Sequence, residues 1–132
     1  MRSSDAASLA AVDASFQRAV DAAVVEENQR WGGKATITVV KELVGDRPAG
    51  STPENSPIVR SGLAAATALG FNASLGEGST DSNTPMSLKI PAITIGGGGR
   101  GRDAHALTES FDVTDAWMGT QHALLVAIAL VQ

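Results

Sequence analysis

Apolar residues fall at Leu9, Val12, Phe16, Val20, Ala23 and Val24, with Gln17, Arg18, Asp21 and Glu26 between them. That spacing predicts a helix from Ser4 to Trp31, started by Ser4 as its cap and ended by Gly32-Gly33. The next stretch, "KATITVVKELV" at 34–44, is β-branched and partly alternating, and reads as a strand. "GDRPAGSTPENSP", at 45–57, then brings Gly, Pro, Asp and Asn in quick succession, which is loop chemistry and the best domain boundary in the chain.

Ser56-Pro57 has the form of an N-cap followed by proline at the first helical position. Ile58, Val59, Leu63, Ala66 and Leu69 carry one apolar face from there to Gly70, so a second helix is expected. An extended piece follows at 71–75, a polar loop "GEGSTDSNTP" at 76–85, and a short apolar strand "PAITI" at 91–95. The last segment, Thr114 to Val131, sets Trp117, Leu124, Leu125, Ile128 and Val131 on a helical stripe. There is no internal repeat. Because Arg2-Ser3-Ser4 leads straight into a helix, the chain reads as the later part of something larger.

Composition narrows the class. With 132 residues, one compact domain with a modest core is affordable. Aromatic residues make up only 4%, so the core must be close-packed Leu, Ile, Val and Ala, intolerant of cavities. A net charge of -4 with acids and bases interspersed offers no basic stripe for phosphates, so no nucleic-acid partner is expected. No apolar run approaches the roughly 20 residues that span a bilayer, and the opening segment lacks the apolar core of a signal peptide. Cysteine is absent, which removes disulfides and thiolate metal sites together. A soluble, cytoplasmic protein without a membrane partner is the expectation.

Candidate chemistry is sparse. Gly96-x-Gly98-x-x-Gly101 formally matches a dinucleotide fingerprint, but "RDAHALTES" after it does not open an apolar helix, so a flexible loop on the substrate side is the better reading. His105 could be a metal ligand, a general base or an ordinary loop histidine; zinc catalysis needs three or more N/O ligands, and one histidine cannot supply them. His122 lies inside the last helix and is expected to be a partly buried structural residue. Asp81 could orient a metal ligand or simply sit in a turn. Arg47 is a planar bidentate donor that could grip a substrate carboxylate or be solvated.

The order of these pieces is more specific than any one of them. "VGDRPAG", a capped helix, "GSTDSNTPMSLKIPAITIGGGGRGRDAHALTESFDV" and a final helix together resemble the C-terminal part of the M20 family of metallopeptidases and amidohydrolases, which includes carboxypeptidases, tripeptidase-like enzymes and acetylornithine deacetylase. The resemblance covers nearly the whole chain. It implies an α/β fold: residues 1–45 as the last helix and strand of the family's lid or dimerisation domain, and 46–132 as the C-terminal piece of a helix-covered catalytic sheet.

By the same resemblance His105 matches the last zinc ligand of a two-zinc centre and Arg47 the arginine that holds a substrate carboxylate. Ser79, Thr80, Asp81 and Asn83 match a loop lining that pocket, and the Gly96 to Gly101 run a mobile wall that brings His105 to the metal. The implied activity is zinc-dependent hydrolysis of amide bonds in small peptides or N-acyl amino acids by metal-activated water. The remaining ligands and the general base have no counterpart here, since Glu26-Glu27 falls in the lid helix. Expected partners are therefore an N-terminal catalytic half or a second copy, in a homo-oligomer. The alternative is a non-catalytic dimerisation or binding module.

Overall fold

The computed structural model describes residues 1–34 and 37–131. Its elements are α1 (Ala6–Arg30), α2 (Pro57–Ala68), α3 (Asn83–Ser87), β1 (Arg100–Arg102), β2 (Ser110–Asp112) and α4 (Trp117–Leu130). The three long helices lie where the apolar spacing predicts them, with shifted ends. Asp5, not Ser4, caps α1, its Oδ2 accepting from the Ser8 amide at 2.7 Å. The last helix begins at Trp117 rather than Thr114, because Asp115 takes φ 60 and breaks the helical path.

Helix ends follow one recipe. After α1, Gly32 donates to the Gln29 carbonyl and Gly33 to that of Asn28; after α2, Gly70 donates to Thr67 and Phe71 to Ala66. Both are paired 5→2 and 6→1 closures around a left-handed glycine, Gly32 at φ 65 and Gly70 at φ 80. Helix α3, read from sequence as loop, closes the same way through Lys89 and Ile90, but with Lys89 at φ 62 where glycine is usual.

The core is the seam between α2 and α4. Val59, Ala65, Ala66 and Val126 are buried there, and a glycine on each helix lets the 93–98 segment pack close: Gly62 meets the Ile93 side chain, and Gly119 abuts the Gly97–Gly98 backbone. Buried His122 spans the seam, its Nε2 donating to the Gly62 carbonyl at 2.9 Å, with the Phe71 ring tilted against it at 6.2 Å. The structural role expected for His122 is the one it has.

The strands differ from expectation. Among the described residues the only sheet is the antiparallel pair β1–β2, in register Arg100↔Asp112 and Arg102↔Ser110. Each strand has three residues, too short to show alternation in the sequence. Of the strand expected over 34–44, Ala35 and Thr36 lie outside the described residues, and 37–44 pairs with no strand. Neither does 91–95. A strand is stable only when its peptide groups find a ladder, and here side chains stand in for the neighbour. Asn28 exchanges two hydrogen bonds with the backbone of Ile37, at 2.9 and 3.0 Å, and Thr52 does the same for Ala92 through its hydroxyl, at 2.6 and 3.0 Å. Lys41 reaches Asp21 at 2.7 Å, laying the 37–41 segment back along α1.

Helix α1 buries none of its residues. The whole chain exposes 10043 Å², whereas a compact protein of this mass exposes about 6,500 Å². Much apolar surface is therefore open, including Val12 and Phe16 on α1 and Val40, Leu43 and Val44 beyond it.

Candidate functional site

One polar cluster gathers residues that lie far apart in the chain. Arg47, in the loop before α2, reaches 32 residues forward to donate from Nη1 to the Ser79 carbonyl at 3.0 Å and the Ser79 hydroxyl at 3.3 Å. Its Nη2 donates to Asp81 Oδ1 at 3.0 Å. The approach is possible because Gly50 lies against the backbone of α3, where a Cβ would stand 2.6 Å from that of Met86.

The 79–83 loop is tied down from within and from below. The Thr80 amide donates to Asn83 Oδ1 at 2.8 Å. Thr94, on the extended 91–95 segment, has its hydroxyl 2.7 Å from those of both Thr80 and Ser82. The five residues that the resemblance matches to a substrate pocket, Arg47, Ser79, Thr80, Asp81 and Asn83, thus lie together. Ser82 and Thr94 belong there too. No sequence signal marks them, since a threonine inside a short apolar strand is ordinary strand composition.

His105 stands apart. It sits in the turn that joins β1 to β2, exposed, and its imidazole makes no hydrogen bond with the described residues. Its backbone is left-handed, φ 67, and so is that of Asp103 at φ 53. For non-glycine residues this conformation costs on the order of 1 kcal/mol and is kept where surrounding structure or function demands it. The Ala106 amide closes the turn on the Asp103 carbonyl at 3.0 Å.

The glycine run before it is used for packing. A Cβ on Gly98 would stand 2.8 Å from the Gly119 amide nitrogen, and one on Gly99 would stand 2.6 Å from the Phe111 ring. These glycines seat the loop against α4 and the hairpin, and the chain leaves them into β1 rather than into a helix. The helix N-terminus that a pyrophosphate needs is therefore missing from the fingerprint. No family model and no curated protein matches the chain.

The donors present do not fit a two-zinc centre. His105 supplies one imidazole, and among the described residues no three His, Asp or Glu side chains stand together as a metal would require. Likewise, no helix among the described residues is long and apolar enough to cross a membrane. The electrostatics are plain. Asp112 is held below its ordinary carboxylate range, chiefly by the Thr114 amide on its Oδ1, with the charge of Arg100 opposite it in the hairpin adding a smaller pull.

Proposed function

We propose that the chain is the C-terminal portion of a zinc-dependent amide hydrolase of M20 type acting on small peptides or N-acyl amino acids, in which it supplies the carboxylate-binding side and one metal ligand. In this reading residues 1–45 belong to a lid or dimerisation domain and 46–132 to the catalytic domain of a cytoplasmic enzyme. The extended segments 37–44 and 91–95 are then strands whose sheet neighbours lie in another part of the molecule. The observation that carries the reading is the meeting of Arg47 with Ser79 and Asp81 across more than thirty residues of chain. Alone, the chain lacks the other ligands and a general base, and it is expected to be inactive.

The test is binding, not turnover. N-Acetylglycine titrated against the labelled chain should shift the amide signals of 47 and 79–83, and Arg47→Ala should abolish those shifts. Absence of shifts in the wild type and also in Asp81→Asn, where Arg47 is unpaired, would remove the carboxylate site. Zinc content after dialysis, beside His105→Ala, asks the second question: stoichiometric zinc lost in the variant would mean that a second copy completes the centre.

A second reading, a non-catalytic dimerisation module, is favoured by the unburied length of α1 and the apolar residues exposed on and beyond it. The zinc measurement discriminates, because a module of that kind needs no metal, whereas both readings allow the chain to dimerise.

A further inference from the structure

Arg47 is already occupied by an anion, and the anion is the chain's own. Its Nη2 holds Asp81 Oδ1 at 3.0 Å while Nη1 is spent on Ser79. The Asp81 side chain is fully exposed and that of Arg47 is 45% exposed. Only one carboxylate oxygen of Asp81 is engaged with the described residues. This is the arrangement a weakly bound carboxylate ligand would have, with the same charge, the same acceptor atoms and the same arginine.

We propose that Asp81 is an internal competitor for Arg47, so that a substrate carboxylate binds by displacing it. The proposal rests on the carboxylate-binding reading of Arg47 and says how that site is regulated. Two features make the exchange workable. An exposed single-contact ion pair is weak, so a ligand can break it. The loop is meanwhile fixed by Thr80 to Asn83 and by Thr94 to Thr80 and Ser82, which holds Asp81 within reach at a high effective concentration.

The consequence is a threshold: every carboxylate ligand is weakened by the same factor, and the weakest fall below useful binding. With Asp81 in place, Arg47 and its partner are together neutral and exert little long-range pull on anions. A bare carboxylate such as acetate gains one arginine contact and must break another, so it should bind poorly. A ligand that adds contacts beyond its carboxylate, as an N-acyl amino acid does, can still displace Asp81. The competitor thus acts as a threshold against small acids.

The experiment is a set of titrations with N-acetylglycine and with acetate, followed by amide shifts, in the wild type, Asp81→Asn, Asp81→Ser, Asp46→Asn and Arg47→Ala. Removing the competitor should tighten both ligands by the same factor, about 2- to 5-fold, and leave the ratio between them unchanged. Asp46→Asn removes a neighbouring charge with no bond to Arg47 and should change nothing. If both Asp81 variants bind no tighter while Arg47→Ala still abolishes binding, the competitor is refuted and the carboxylate site stands. Equal tightening by Asp46→Asn also refutes it, since the effect would then be general charge. If no variant binds, the carboxylate reading fails and the competitor with it.

Discussion

Among the glycines, Gly119 has the closest neighbours, pressed by the Gly97–Gly98 backbone at the start of α4. Backbone cannot yield as a side-chain tip can, so Gly119→Ala should destabilise the chain by about 1–3 kcal/mol. Gly101→Ala, with open space around it, is the matched control in a thermal melt followed by circular dichroism. The opposite change is expected at Lys89, which occupies a left-handed helix end at φ 62 where glycine fits without strain. Lys89→Gly should raise stability by about 0.5–1 kcal/mol, because relief of the left-handed strain outweighs the added freedom of the unfolded chain. At this scale the sequence is legible where chemistry is distinctive. Arg47, Asp81 and Asn83 could be singled out by type and order, while Ser82 and Thr94 could not, because what recruits them is a hydroxyl contact made only after folding.

Helices announce themselves and isolated strands do not. The apolar spacing of α1, α2 and α4 places each of them, and Gly32 and Gly70 mark where the first two stop. The β-branched runs at 37–44 and 91–95 carry the composition of strands, but pairing depends on a neighbour that no local pattern can supply. The hairpin and α3 are too short for any periodicity. A prediction at this scale concerns the cap of α1. The Ser8 amide on the Asp5 carboxylate holds that group below its ordinary value. A carboxyl whose folded pKa is depressed adds stability above its unfolded pKa and loses it as pH falls through the folded one. Helix content should therefore drop as pH is lowered below about 4. Asp5→Asn, which caps without titrating, should remove Asp5's share of that step from the circular-dichroism titration.

For the molecule as a whole, surface governs behaviour. Exposing 10043 Å² when folded, the chain gives up only about three-quarters of the area that a compact protein of its size releases on unfolding. Its urea m-value should be lower in the same proportion, and a full-sized m-value would mean that the open faces are covered in solution by association. The two-helix seam and the long free helix should also part company thermodynamically. A helix of 25 residues that buries nothing is held by its own turn-to-turn hydrogen bonds, its caps and a few surface tethers. Its amide protons should accordingly trade with deuterium within a fraying regime, ends first and well ahead of those beneath Val59 and Val126. Until something settles onto α1, the chain is a small cooperative unit with a helix that melts on its own schedule.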